Sequence, residues 1–113
     1  MPADGLALLG QAFALQQAGR LADAEALYAK VLAASPDDVT ALVNAGAVAL
    51  SRGDLEQAIA RFERVAQLAP NNAIVHNNLG LAYINAGRDG DALVALDRAI
   101  RLKSDFAQAH NNR

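Results

Sequence analysis

The side chains able to do acid–base or metal chemistry are few and poorly grouped. His76 and His110 are the two histidines, and there is no cysteine. A zinc site needs three or four convergent ligands, and two histidines 34 positions apart with no further ligand beside them do not provide one. They read as packing residues whose ring nitrogens find a local partner. Ser35, Ser51 and Ser104 have no histidine in reach, and no Gly-rich phosphate loop, HExxH pair or nucleophile elbow occurs. Asp23, Glu25, Glu56, Glu63, Asp91 and Asp97 alternate with Arg61, Arg64, Arg98 and Arg101. Asp97 and Arg101 are spaced as a helical ion pair worth about 0.2–0.5 kcal/mol, which describes a solvated face. The reading is a non-catalytic chain with no cofactor and no metal. What remains is amide chemistry. Asn44, Asn78 and Asn112 recur at a step of 34, and each amide carries both donors and an acceptor.

Composition narrows the class. A chain of 113 residues fits one domain or a short repeat array. It is 53% hydrophobic and 19% charged, too apolar for a disordered tail and too evenly charged for a membrane protein. A net charge of −2 counts against a nucleic-acid module, which shows a basic excess. No apolar run approaches the ~18 residues of a spanning helix. Met1 to Ala18 contains an apolar stretch and an Ala12-Phe13-Ala14 triplet like a cleavage site, but Asp4 stands where a signal peptide carries positive charge. The expectation is a soluble, uncleaved chain in the cytoplasm, with the periplasm as the alternative, and with neither nucleic acid nor membrane as partner.

The elements that position these residues follow from internal repetition. Gly19, Gly53 and Gly87 lie 34 residues apart, as do Ala24, Ala58 and Ala92. Pro36 and Pro70 keep the step, with Ser104 in the third place. Tyr28, Phe62 and Leu96 continue it. The units are 5–38, 39–72 and 73–106, with a fourth opening at Ala107. Each reads as two helices. In the second unit, Val39–Arg52 ends at Gly53, suited to a left-handed cap, and Leu55–Ala69 ends before Pro70, which cannot continue the backbone ladder. Asp37-Asp38 and Asn71-Asn72 offer oxygens to the next helix's first amides. Ala24, Ala58 and Ala92, with Ala12, Gly46 and Gly80, let helix axes approach, while Tyr28, Phe62, Leu96, Leu15 and Tyr83 fill the space between.

The 34-residue step, with Asn78-Leu79-Gly80, Tyr83, Gly87, Ala92 and Ala99 in the third unit and Ala58, Phe62 and Pro70 in the second, resembles the tetratricopeptide repeat. The likeness covers nearly the whole chain after the first four residues. Gln11, Leu15, Ala49 and Ser104 depart from the family pattern, and Ser104 leaves the end of its helix less sharply defined. The resemblance implies an all-α, right-handed superhelical α-solenoid of three full units plus the start of a fourth. Its first helices would line a concave groove that binds peptides or partner segments. The inward places would be held by Leu9, Phe13 and Gln17 in the first unit, Thr40, Val43, Asn44 and Ala47 in the second, and Ile74, Asn77, Asn78, Leu81 and Asn85 in the third. Asn112 would follow in the stub, and none of these is charged. The ladder of Asn44, Asn78 and Asn112 would clamp an extended main chain, as in the superhelix of O-linked N-acetylglucosamine transferases. Otherwise those amides merely solvate the groove. Phe13 is either an apolar anchor or, if the first unit tilts, a buried residue. A basic clamp for acidic chaperone C-termini would need lysine at Leu9 and Ile74, asparagine at Phe13 and Asn44, and arginine at Asn78, and only Asn44 matches.

The expected function is therefore a protein-interaction scaffold. Two alternatives stand beside it: the substrate-guiding arm of a larger glycosyltransferase- or methyltransferase-like enzyme, and a homo-oligomer assembled through repeat ends. The stop at Arg113, within a first helix and with no polar cap, suggests a fragment of a longer protein. It would leave Ala92, Leu96, Ala99 and Ile100 only half covered.

Overall fold

Each unit becomes a helix hairpin because its two stop signals act in different ways. The structure, a computed structural model, is described over residues 3–111, with side chains over residues 5–104. Those residues form six helices and no strand: α1 (Ala3–Gln17), α2 (Leu21–Ala34), α3 (Val39–Ser51), α4 (Leu55–Leu68), α5 (Ala73–Asn85) and α6 (Asp89–Asn111). The chain is an all-α solenoid.

Within each hairpin the stop is glycine. Gly19, Gly53 and Gly87 sit at φ of 80°, 78° and 77°, where a side chain is strained. The same two bonds close all three turns. Gly19 N–H donates to Gln16 O (3.1 Å) and Arg20 N–H to Leu15 O (2.9 Å), with Gly53/Asp54 and Gly87/Arg88 repeating the pattern. Between hairpins the stop is proline. α2 and α4 end two residues before Pro36 and Pro70, and the next helix is capped by a side chain. Asp38 Oδ1 accepts from Ala41 N–H (3.0 Å) and Asn72 Oδ1 from Val75 N–H (3.2 Å), each cap worth about 0.5–2 kcal/mol. Helices α3 and α4 end one residue short of the sequence expectation.

The third unit departs from this rule. With Ser104 in place of proline nothing interrupts the ladder, and α6 runs 23 residues to Asn111 without a break. The turn expected before Ala107 is absent, so residues 107–111 continue the second helix of the third unit rather than starting a new first helix.

Packing follows the small-residue columns. Ala12, Ala24, Ala58 and Ala92 are buried where helices meet. A Cβ on Gly46 would lie 2.6 Å from Phe62 Cε1, and one on Gly80 would overlap Leu96. Those two glycines are the recesses into which the second-helix side chains fit. Tyr28, Phe62, Val31, Val48, Val65 and Val75 are the largest fully buried side chains. The two core clusters meet at Leu32, so one apolar seam runs through the array. Ala92 and Ala99, expected to be half covered, are buried inside the third unit; Leu93, Val94 and Ile100 are the exposed apolar residues of α6 among the described ones.

Ion pairs cross between units. Arg52 reaches Glu25 at 2.9 Å, and Arg64 grips Asp37 through Nε and Nη2, both at 2.9 Å. All four side chains are a third or more exposed, so each pair contributes about 0.2–1 kcal/mol. Curvature shows in which helices touch. Among the described residues α1 meets α3 and α3 meets α5, while α2, α4 and α6 make no such contacts with one another. The first helices thus form the inner, shorter side of the ribbon.

Candidate functional site

Apart from Asp4 at its start, the inner side is built from helices with no acid, lysine or arginine: α1, α3 and α5. Second helices and turns hold the remaining charges. The physical reason is periodicity. A first helix packs against its own partner, against the preceding unit and against the neighbouring first helix, which leaves only one narrow stripe for solvent.

That stripe alternates in size. Leu6 and Phe13 in the first unit and Ile74 and Leu81 in the third are exposed, and Phe13 is 48% exposed rather than tucked into the core. The matching places in the second unit hold Thr40 and Ala47, so a low saddle lies between two apolar shoulders. Gln17, Asn77 and Asn85 are exposed as well. Leu9 and Val43 are half-buried and lean on the two core clusters, which makes them part of the floor. Ile84, also exposed, adds to the third-unit shoulder. The sequence reading missed it because that place lies outside the family's inward set.

The asparagines are not equivalent. Asn44 is half-buried beside Tyr28, whose hydroxyl donates to Gln16 Oε1 at 2.7 Å. Burial pushes the Tyr28 phenol above its ordinary 10, and the Asn44 side chain partly offsets the shift. Asn78 has Phe62 at the place of that tyrosine, and among the described residues its amide makes no hydrogen bond. Asn112 lies outside the described residues. His76 is buried, with Nε2–H donating to Pro70 O at 2.8 Å. It ties down the turn that follows α4, the local-partner role its position suggested, and the side chain of His110 lies outside the described residues.

One carboxylate was misjudged. Glu63, expected on a solvated face, is half-buried and accepts a 2.5 Å hydrogen bond from the Tyr83 hydroxyl. Burial, then that bond and the Glu63 charge, push the Tyr83 phenol up to about 12, with the guanidinium of Arg88 opposing. Arg88 lies 4.7 Å over the Tyr83 ring and pairs with Asp91 at 2.8 Å. A guanidinium over the face of an aromatic ring contributes about 0.5–1 kcal/mol where the cation is exposed, as Arg88 is, which locks this turn rather than preparing an acid or base. The Asp97–Arg101 pair forms as its spacing implied, at 2.8 Å. No described helix is long and apolar enough to cross a membrane.

Comparison with known proteins agrees with this geometry. Family models of the tetratricopeptide repeat match residues 15–60 and 73–106, and a TPR repeat model matches residues 48–87, so together they run without a gap. Comparison with curated sequences finds no significant match. Among solved structures, a MamA RS-1 double mutant is 29% identical with a TM-score of 0.85, over 88% of this chain and 56% of that one. MamA from Desulfovibrio magneticus RS-1 is 28% identical with a TM-score of 0.84, over 87% and 55%. The O-GlcNAc transferase of Thermobaculum terrenum is 29% identical with a TM-score of 0.82, over 97% of this chain and 21% of its own. The chain thus spans little more than half of those MamA chains and about a fifth of the transferase. Glycine turns at a fixed step, the alanine and glycine recesses and the matching family models have one common explanation: the chain belongs to the tetratricopeptide repeat family.

Proposed function

We propose that the inner wall binds an uncharged, apolar-rich peptide or partner segment, with Phe13 and Leu81 as shoulders and the Asn78 amide holding ligand main chain. The observation that carries this reading is the combination of exposed Leu6, Phe13, Ile74 and Leu81 with first helices lacking charge beyond Asp4. A charged ligand would lose hydration there with nothing to offset it, so acidic chaperone tails are the wrong class. Asn78 has a free donor and acceptor to offer; Asn44, beside Tyr28, acts mainly to shape the floor. The role is non-catalytic, and the same wall would serve as a guiding arm in a larger enzyme, a reading favoured by the likeness to the transferase. A peptide selected from a display library is the test. Phe13→Ala is expected to weaken it about fivefold or more, and Asn78→Ala about threefold to tenfold. Unchanged affinity in both variants would remove the wall as the binding surface.

A second reading is favoured by the end of the array. Leu93 and Ile100 are 71% and 63% exposed, whereas Ile59, which stands where Leu93 does one unit earlier, is 7% exposed under α5. A second copy would stack its α1 there as α5 stacks on α4. Light scattering should show size rising with concentration, and Ile100→Glu should return the chain to monomer; a monomer at all concentrations would dismiss the reading.

A further inference from the structure

On the second-helix side, away from the first-helix wall, repeat symmetry is broken at a single arginine. Arg64 on α4 is fully engaged: Nε and Nη2 hold both oxygens of Asp37, and Nη1 donates to Gln67 Oε1 at 2.9 Å. One unit later the same places hold Arg98 for Arg64, Asn71 for Asp37 and Arg101 for Gln67. Arg98 is thus offered an amide and a second cation where Arg64 has a carboxylate and an amide. Arg101 is already paired with Asp97 at 2.8 Å, and among the described residues no carboxylate pairs with Arg98. The three charges sum to +1, counting Arg98 and Arg101 as positive and Asp97 as negative.

The surroundings change with the charge. Asn71, Val94, Asp97, Arg98, Arg101 and Leu102 line a cleft of 510 Å³. Val94 is 71% exposed at a place where the other two units carry exposed alanines, Ala26 and Ala60. A large apolar side chain in the open beside an unneutralised guanidinium is a two-part recognition surface. A guanidinium takes a carboxylate through two parallel N–H donors, and Asn71 has an N–H to add to them.

We propose that this cleft docks a protein segment in which a glutamate or aspartate side chain is followed by an aliphatic residue. The carboxylate accepts from Arg98 and from the Asn71 side-chain N–H, supplying the charge that Asp37 supplies to Arg64, and the aliphatic residue lies on Val94 and Leu102. The surface is separate from the wall assigned above, so either assignment stands without the other.

Two capped peptides test it, acetyl-Leu-Glu-Leu-amide and its glutamine counterpart, followed through the side-chain N–H signals of Arg98 and Asn71 in the folded chain. The glutamate peptide is expected to shift both signals and to bind at least tenfold more tightly than the glutamine peptide. Asn71→Asp supplies the missing carboxylate internally; it should abolish peptide binding while making the Arg98 signal resemble that of Arg64 and leaving the helical spectrum intact. Arg98→Gln should abolish binding too, and Val94→Ala should weaken it severalfold. Equal binding of the two peptides, or full binding by Asn71→Asp, would overturn the proposal. So would inorganic phosphate producing the same shifts at the same concentration, since that describes a general anion site.

Discussion

Replacing Phe62 with alanine is expected to remove about 3–5 kcal/mol of stability, the usual loss for a fully buried phenylalanine. The ring is 0% exposed, sits in the recess left by Gly46, and belongs to the larger core cluster with Val65, Val75 and Leu79. Stability in a repeat array is a sum of unit and interface contributions, so a cavity in the middle unit weakens both of its neighbours' interfaces at once. Against the ~5–15 kcal/mol typical of a whole domain, that loss leaves the array near its threshold. Urea unfolding followed by circular dichroism should show the midpoint falling by a large fraction, with a broadened transition as the outer units uncouple. A loss under about 1 kcal/mol would mean that the ring does not close the seam.

The second large effect comes from adding a single methyl group. Gly46→Ala places a Cβ 2.6 Å from Phe62 Cε1 and 2.9 Å from Cδ1 and Cζ, all atoms of a buried ring. Alanine is the better helix former by about 1 kcal/mol, so propensity alone forecasts a gain. Overpacking costs about 1–3 kcal/mol, and the close approach to an enclosed ring makes it the larger contribution. Net destabilisation is expected. Phe62→Leu, which takes away Cε1 and Cζ, should soften the effect, giving a coupling of about 0.5–3 kcal/mol in a double-mutant cycle. A stabilised Gly46→Ala variant would show that α3 and α4 do not approach so closely.

Much of this architecture is legible in the sequence because it rests on residues whose chemistry is local. Gly19, Gly53 and Gly87 mark left-handed turns whatever surrounds them, and Pro36 and Pro70 end helices through their own missing N–H. The step of 34 then pairs Gly46 with Phe62 and Gly80 with Leu96. Where local chemistry is silent, the sequence is a weaker guide. Ser104 neither forces nor forbids a turn, and α6 passes through it. Arg64 and Asp37 are 27 positions apart, and so are Arg52 and Glu25; only hairpin stacking brings them together. Glu63 looked like surface until the next unit's Tyr83 arrived over it. The wall residues were named by their places in the repeat, yet their individual surroundings came from the neighbours. Phe13 stays exposed, Leu9 and Val43 sink towards the core, and Asn44 is drawn to a tyrosine absent from the next unit. Arg98 carries the same lesson, since its distinctness appears only by contrast with Arg64.

The inner wall can be tested without knowing its natural partner. Backbone amide shifts would be recorded while a display-selected, uncharged, apolar-rich peptide is titrated into the chain. The changes are expected to cluster at Leu6, Phe13, Thr40, Ala47, Ile74, Asn78 and Leu81 on the three first helices. Shifts confined to α2, α4 and α6 would place recognition on the opposite side and contradict it.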